Sequence, residues 1–337
     1  MLENARKLVM GRRTARARGR VRLALPASAK LTLAAKLALA AKLALAAPVA
    51  LAAALAPPAF AQVEQVAEAP LVGPANGSLV IVGGAMTSPE IYERFIELAG
   101  GQDAHIVMIP TAGGGEEYDE FYQGLNAWRA NGARNLTVLH TTDLAEADTE
   151  EFVAPLRSAA GVFLFGGRQW RLVDAYGGTR TEREIRGVLD RGGVIGGSSA
   201  GASIQGSYLV RGDTRTNEIM MGDHERGFGY LRNVGIDQHV LRRNRQFDLI
   251  EVIEAHPELL GIGLDENTAI VVQGDEFEVI GASYAIIYDN QATTGESGRF
   301  YFLAPGDRYH MARREATRPS TTLRSVEGVR KRPWGER

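Results

Sequence analysis

Short apolar runs that alternate with helical patterns restrict the fold of this chain more than any other feature. Runs of strand character occupy residues 79–82, 105–109, 136–140, 161–165 and 194–195. Helical patterns lie between them, at residues 89–99, 118–130, 150–157 and 181–191. This alternation predicts an α/β fold with an open, mostly parallel sheet flanked by helices.

Three of these strands end in turns rich in glycine and serine. Gly83-Gly84 follows the first strand, Gly166-Gly167 follows the fourth, and Ser199 follows the fifth. Because ligands of such sheets bind outside the carboxyl ends of the strands, we expect the three turns to share one edge. After Glu266 the pattern changes, which predicts a β-rich C-terminal segment on the same domain. Its strands are expected at 269–272, 277–280 and 282–288.

The composition of the flanking segments sets the domain boundaries. We expect one α/β domain over residues 78–305. Residues 62–77 contain proline, alanine and glycine without a clear period, which predicts a linker. Residues 306–337 are expected to form a basic, disordered tail, since there are eight Lys/Arg and three acidic residues from Arg313 to the end.

The first 61 residues have the pattern of a secretory signal peptide. They carry eleven Lys/Arg and one acidic residue, followed by an apolar stretch at 43–56. Ala59-Phe60-Ala61 then supplies the small residues of a cleavage site. The apolar stretch is too short to span a membrane comfortably. We therefore expect a periplasmic or extracellular protein with no stable membrane span once the leader is removed.

Charge and cysteine content exclude several classes of function. The whole chain is formally −2 and the leader contributes +10, so the remainder carries about −12. An acidic body argues against nucleic acid as a partner. Cysteine is absent, so neither disulfides nor a cysteine nucleophile are available. Asp223, His224 and Glu225 are adjacent and do not face one site on a regular element, and we expect no metal and no cofactor.

The segment Gly-Ser-Ser-Ala-Gly at 197–201 reads as G-x-S-x-G. That pattern suits a sharp strand-to-helix turn in which flanking glycines leave the serine hydroxyl exposed. Amide N–H groups at the helix start beside Ser199 are able to stabilise an oxyanion. The alternative is an ordinary Gly/Ser-rich loop between a strand and a helix.

A serine nucleophile needs a base within hydrogen-bond reach and an acid that orients the base. Of six histidines, His239 stands out because it follows a strand-like start and precedes a cluster of arginines. His105 and His140 lie in or at the end of upstream strands, where a structural role is expected. His256 reads as a solvated helix end.

Four separated motifs resemble the S51 serine peptidases, the family that includes cyanophycinase. They are Gly-Ser-Ser-Ala-Gly-Ala at 197–202, Asp-Gln-His at 237–239, Gly-Leu-Asp-Glu-Asn-Thr-Ala at 263–269 and Phe-Gly-Gly-Arg-Gln at 165–169. The resemblance covers residues 78–288 and implies a fold like that of class I glutamine amidotransferases. It also implies Ser199 as nucleophile and His239 as base.

The same resemblance implies the remaining site residues. Glu266 resembles the acid of a Ser-His-Glu triad and is the preferred third member, whereas Glu218 resembles another acidic position with that role in relatives. The oxyanion would be held by the N–H groups of Ala200 and Gly167. The implied substrate-binding residues are Gln169, Asp237, Gln238, Arg243, Arg245 and Asn267.

The implied activity is that of an exopeptidase acting on cyanophycin, an aspartate chain with arginine in β-amide linkage. Arg168 and Asp248 depart from the family pattern by reversing charge, which leaves the exact substrate open. The alternatives are an α-aspartyl or isoaspartyl dipeptidase of the same family, an α/β-hydrolase esterase with His310 as base, and a non-catalytic binding protein. A homodimer also stays open.

Overall fold

The computed structural model describes residues 72–290 and 300–318, all of which belong to the unit Val66–Arg337. The predicted leader and most of the predicted linker lie outside the described residues. The strands are β1 Ser78–Val82, β2 His105–Ile109, β3 Asn135–Val138, β4 Gly161–Leu164, β5 Val194–Ser198, β6 Gly206–Tyr208, β7 Leu231–Gln238, β8 Leu260–Leu264, β9 Thr268–Gln273, β10 Glu276–Gly281, β11 Ala285–Tyr288, β12 Tyr301–Leu303, β13 Arg308–His310 and β14 Glu315–Thr317. The helices are α1 Pro89–Leu98, α2 Asn126–Ala130, α3 Leu144–Ala147, α4 Glu150–Ser158, α5 Trp170–Tyr176, α6 Arg180–Asp190, α7 Ala200–Ser203 and α8 Leu249–Ala255.

The larger sheet has the order β14-β13-β10-β9-β1-β5-β4-β2-β3. Its half built from β1 to β5 is parallel, as the alternating pattern predicts, and its later strands pair antiparallel beyond β1. Since β5 lies between β1 and β4, the turns after these three strands meet at one edge. The predicted common edge for the glycine and serine turns is therefore confirmed.

A second, five-stranded sheet has the order β12-β11-β8-β7-β6. Its strands β7 and β8 run parallel, and Gln238 at the end of β7 is in register with Leu264 at the end of β8. Consequently the residues that follow, His239 on one strand and Asp265 with Glu266 on the other, leave the sheet side by side. The sequence pattern predicts one open sheet and gives no sign of this second sheet.

Apolar side chains of β1 alternate between two cores, as a strand buried on both faces requires. Leu79 and Ile81 pack in a core that includes Ile185 of α6 and Ile236 of the second sheet. Val80 and Val82 belong to the other core, which α1 and α2 cover. The parallel strands are thus enclosed on both sides, and their ends carry the polar groups.

The predicted helix over 118–130 is wrong in its first half. Only Asn126–Ala130 is α-helical, preceded by a 3₁₀ turn at Gln123–Leu125. The ring of Tyr118 packs edge-on against His140, with centroids 4.8 Å apart, and its hydroxyl accepts the N–H of Gly115 at 2.8 Å. These contacts hold the segment in a loop against the periodicity of its sequence.

Two predictions about the domain boundaries are also wrong. Within the supposed disordered tail, β13 pairs with β10 and β14 pairs with β13. Tyr309 of β13 is fully buried and packs on Phe277, so residues up to 318 belong to the domain. Within the predicted linker, the N–H groups of Val72 and Gly73 donate to Asp275 at 2.7 and 3.0 Å.

Across residues 72–290 and 300–318, no helix combines the length and apolar character that crossing a bilayer requires.

Candidate active site

The segment Gly197–Gly201 forms a sharp turn between β5 and α7, with Ser199 at its tip. Ser199 has φ 55° and ψ −110°, a strained backbone for a non-glycine residue. A Cβ at Gly197 would lie 2.1 Å from the carbonyl oxygen of Gly201, and one at Gly201 would lie 2.0 Å from that of Leu164. Both glycines of the G-x-S-x-G pattern are therefore required sterically. The turn presents the serine hydroxyl at the predicted edge of the sheet.

His239 follows the end of β7 and meets this serine. Its Nε2 lies 2.9 Å from Ser199 Oγ, and its backbone N–H donates to the carbonyl of Gly83 at 3.0 Å. The residue has φ 56°, so the chain bends sharply where the imidazole leaves the sheet. A Cβ on Gly84 would lie 2.2 Å from the ring atom Cε1. Gly84 thus makes room for the ring.

Glu266 completes a chain of three polar side chains. Its Oε1 lies 2.7 Å from His239 Nδ1. With the ring proton on Nδ1, His239 donates to Glu266 while Nε2 accepts from the Ser199 hydroxyl. The N–H of Asn267 donates to the carbonyl of Gly84 at 2.7 Å, so the Gly83-Gly84 turn holds both the histidine and the glutamate. The arrangement is that of a nucleophile, a base and an orienting acid.

The electrostatic surroundings of His239 favour a neutral imidazole. Burial of the ring is the largest effect and lowers its pKa below the ordinary value. The hydrogen bond to Glu266 works in the opposite direction, and the positive charges of Arg243 and Arg245 lower the pKa further. A neutral ring accepts a proton near pH 7, which is what a general base must do.

The predicted oxyanion donors lie on two neighbouring turns. Ala200 opens α7, where the first N–H groups have no partner within the helix. Gly167 follows β4, the neighbour of β5, and its φ of 145° suits glycine. A Cβ on the preceding Gly166 would lie 3.3 Å from Cβ of Ser199, so the two turns touch. Among the residues that the structure describes, neither N–H has a hydrogen-bond acceptor.

Two predicted substrate-binding residues are buried and engaged elsewhere. Asp237 is fully buried in β7, and its carboxylate accepts two hydrogen bonds from Arg211. Gln169 is also fully buried and donates to the carbonyl of Val210 at 2.7 Å. Its Oε1 has no partner within the described part of the chain. The prediction of a direct substrate contact is wrong for Asp237, because the buried arginine already satisfies the carboxylate.

Gln238 and the arginines after His239 lie where the sequence analysis expects a pocket. The side chain of Arg245 is 7% exposed and has two long contacts, to Gln238 Oε1 at 3.4 Å and to Glu218 Oε1 at 3.5 Å. Burial, followed by the nearby charge of Arg211, lowers its pKa. Arg243 is exposed. Both cations stand beside the histidine, and the charges of Asp237 and Glu218 partly compensate that of Arg245.

Two further predictions need correction. Glu218 is an exposed residue that faces Arg245, and Glu266 occupies the position beside the imidazole. Glu218 is therefore not the orienting acid in this structure. Asn267 was expected to bind substrate, but its Oδ1 accepts the N–H groups of Thr87 and Ser88 at 2.9 and 2.7 Å. Its side chain fastens the loop before α1.

The alternative base His310 lies far from the nucleophile. It belongs to β13, four strands away from β5 in the larger sheet, which corresponds to about 19 Å at the usual strand spacing. The geometry contradicts an esterase that uses His310.

Within residues 72–290 and 300–318, no group of three or more His, Asp or Glu side chains is arranged to hold a metal ion.

Sequence reasoning placed Gly84 at this edge without its role, and it missed the roles of two further residues that build the site, Arg211 and Asp265. Arg211 pairs with Asp237 and Asp248, and Asp265 accepts the N–H groups of Leu241 and Arg242 at 3.1 and 2.9 Å. Gly84 packs against the imidazole. The charge reversal at position 248 was visible in the sequence, but its partner lies 37 residues away, and no local pattern reveals it.

A cavity of about 520 Å³ lies on the same side of the larger sheet as these turns. It is lined by Glu116, Glu117, Tyr118, Asp119, Tyr122 and His140. The loop that carries these acidic residues begins at Gly113, where an added Cβ would lie 4.0 Å from the carbonyl oxygen of Gly166. Tyr122, which lines the cavity, also packs edge-on against Phe165, two residues before Gly167.

Comparison with known proteins identifies the family. The family model described as Peptidase family S51 matches residues 79–280. A cyanophycinase of Geminocystis herdmanii (strain PCC 6308) is 32% identical over 261 residues, which cover 70% of this chain and 94% of the relative. A cyanophycinase of Nostoc sp. (strain PCC 7120) is 30% identical over 264 residues, covering 70% and 86%.

A solved structure supports the same assignment. The crystal structure of a peptidase from an acI-B1 Actinobacterium superposes with a TM-score of 0.54 and 25% identity, covering 70% of this chain and 97% of that chain. The expected α/β fold, like that of class I glutamine amidotransferases, is confirmed. Since the family match spans more than half of the sequence, this chain belongs to peptidase family S51 and is a serine-type peptidase.

Proposed function

We propose that this protein is an exported serine exopeptidase that acts on cyanophycin-type polymers and hydrolyses the aspartyl backbone amide, releasing units with intact β-aspartyl-arginine linkages, through Ser199, His239 and Glu266. The observation that carries the proposal is the continuous hydrogen-bonded chain of these three side chains, with distances of 2.9 and 2.7 Å. The sharp turn at Ser199 also presents the serine hydroxyl so that it can approach a carbonyl carbon. The similarity to cyanophycinases supports the choice of substrate.

In the proposed mechanism, Ser199 Oγ attacks the carbonyl carbon of the scissile amide while His239 Nε2 takes the hydroxyl proton. The negative oxygen of the tetrahedral intermediate accepts hydrogen bonds from the N–H groups of Ala200 and Gly167. His239 then passes its proton to the leaving amine, and the C–N bond breaks to leave an ester on Ser199. Water, deprotonated by the same imidazole, attacks that ester and releases the acid. Glu266 stabilises the imidazolium in each half-reaction.

Charges around the triad suit a substrate that carries both signs. Arg245 and Arg243 would pair with a carboxylate, and a buried arginine does so with a strength that an exposed one lacks. The carboxylates of Glu116, Glu117 and Asp119 would favour the guanidinium of the substrate's arginine. The tyrosine rings beside them offer faces for a cation–π contact. A β-aspartyl-arginine unit supplies both groups.

Hydrolysis assays test this proposal. Protein without residues 1–61 is offered cyanophycin, β-Asp-Arg and α-aspartyl dipeptides, and the products are identified by mass spectrometry. The proposal expects β-Asp-Arg from the polymer, and it expects Ser199→Ala to abolish the reaction. Hydrolysis of α-aspartyl or isoaspartyl dipeptides alone would assign the chain to the dipeptidase alternative. A lack of hydrolysis together with unreactive Ser199 would favour the non-catalytic binding protein.

Export is a separate part of the proposal and rests on the pattern of residues 1–61. The full chain, produced in a bacterial host with a secretory system, should lose its leader near Ala61 and accumulate outside the cytoplasm. The N-terminal sequence of the protein recovered from each cell fraction measures this. A cytoplasmic protein with an intact N-terminus would contradict it.

A further inference from the structure

We propose that Arg211 is a positioning residue which fixes the loop that carries His239. The inference rests on the proposed function, because it takes His239 as the catalytic base that Arg211 helps to position. Arg211 is fully buried, and its guanidinium joins two carboxylates, those of Asp237 and Asp248. These two residues stand at the two ends of the loop 238–247.

The contacts of Arg211 use the planar fork of a guanidinium. Nε and Nη2 donate to the two oxygens of Asp237 at 2.7 and 3.0 Å. Nη2 also donates to Asp248 Oδ2 at 2.7 Å, and Nη1 donates to the carbonyl of Asn217 at 2.8 Å. Lysine has no such fork and cannot bind all these acceptors in one geometry. The residue also has φ 59°, a left-handed backbone that is unfavourable outside glycine.

Asp237 transmits this constraint to the histidine. Its Oδ1, which accepts from Arg211, also accepts the N–H of Gln238 at 2.9 Å. Gln238 ends β7, and His239 turns away from the sheet at the next residue. The paired carboxylate therefore fixes the peptide from which the imidazole leaves. Because Asp237 is fully buried, removal of Arg211 would leave its charge without this ion pair and without solvation by water.

Arg211 also fixes the other end of the loop through Asp248, because Asp248 directly precedes α8. The loop between the two carboxylates carries His239, Arg243 and Arg245, which are the base and the two cations of the proposed pocket. Arg211 and Arg245 together balance the charges of Asp237 and Asp248. Arg211 thus holds both ends of the segment that carries the catalytic imidazole.

The test compares Arg211→Lys with Arg314→Lys. Arg314 is a matched control, because it also has a left-handed φ of 57°, has a side chain only 13% exposed and pairs with the buried Asp289, but it lies outside the proposed site. We expect Arg211→Lys to lower kcat by about 10- to 100-fold with KM within twofold, and Arg314→Lys to leave both unchanged. Assays are run well below the melting temperature of each variant.

Coupling and spectroscopy separate positioning from a general structural effect. If Arg211 acts through Asp237, the variant Arg211→Lys/Asp237→Asn should lose no more kcat than the more impaired single variant. The downfield proton resonance of His239 Nδ1, assigned by its loss in His239→Gln, should broaden or shift in Arg211→Lys and persist in Arg314→Lys. This resonance is measured without any substrate.

Three results would overturn the inference. They are an unchanged kcat in Arg211→Lys, a loss confined to KM, and an unaltered Nδ1 proton resonance. If the wild-type protein hydrolyses no substrate and its Ser199 is inert, the proposed function fails by itself. The resonance then still decides whether Arg211 positions the imidazole.

Discussion

Replacing Gly84 by alanine tests how closely the Gly83-Gly84 turn sets the imidazole. The added methyl carbon would lie 2.2 Å from His239 Cε1, whereas unstrained carbon contacts lie at about 3.5–4.0 Å. The ring must therefore retreat by about 1.3 Å or more. A shift of this size disturbs the alignment of His239 Nε2 with Ser199 Oγ, now 2.9 Å apart, and of Nδ1 with Glu266 Oε1, now 2.7 Å apart.

A misplacement of about 1 Å at reacting groups costs about 10²-fold in rate, so kcat/KM of Gly84→Ala should fall by about 10² or more. Gly84 has φ 129°, and alanine adds about 1–2 kcal/mol of backbone strain in a left-handed conformation. Gly101→Ala is the control for this strain, because Gly101 has φ 108° and nothing within 4 Å of an added Cβ.

The assay measures kcat/KM for release of β-Asp-Arg from cyanophycin, together with the melting temperature of each variant. We expect both variants to lose similar stability and only Gly84→Ala to lose activity. Full activity in Gly84→Ala, or an equal loss in Gly101→Ala, would refute the idea that this turn sets the position of the ring.

Three other predictions address the base, the acid and the domain boundary. Because burial and two arginines lower the pKa of His239, kcat/KM should stay high as pH falls through 6.5 and decline only below it; Arg243→Gln removes one of these cations, raises the pKa, and should move the decline to higher pH. Glu266→Gln should lower kcat by about 10² or more, since the orienting acid is lost, while Glu218→Gln, on an exposed side chain that pairs with Arg245, should change kcat by less than threefold; equal losses would contradict the assignment. Tyr309→Ala should lower the free energy of unfolding by about 3–5 kcal/mol, whereas Phe121→Ala, on a side chain 76% exposed, should change it by less than about 0.5 kcal/mol. Denaturant titrations measure both values. A negligible effect of Tyr309→Ala would support the original prediction that this segment is a disordered tail.

The sequence was informative where one local rule decides the outcome. Glycines at 83, 84, 166, 167, 197 and 201 mark the turns that follow the strands, because close packing leaves little or no space for a Cβ there. The strands themselves are short apolar runs buried on both faces, a pattern that few other structures produce. Ser199 and the common edge of the turns could therefore be located from the sequence alone.

Contacts between distant segments could not be found in this way. The choice between Glu266 and Glu218 depends on the register of β7 and β8, which places Glu266 beside His239. The sequence predicts Asp237 as a residue of the substrate pocket. In the structure its carboxylate pairs with Arg211, which lies 26 positions earlier in the chain. The segment 118–122 has helical periodicity, but the packing of Tyr118 on His140 and of Tyr122 on Phe165 holds it as a loop.

The catalytic pairing of Ser199 with His239 is measured by covalent labelling with a serine-directed phosphonate, read as intact mass and mapped by peptide sequencing. We expect one adduct, on Ser199, formed at least about 10³-fold more slowly in His239→Gln because the hydroxyl then has no base. An adduct on another serine, or an equal rate in His239→Gln, would contradict it.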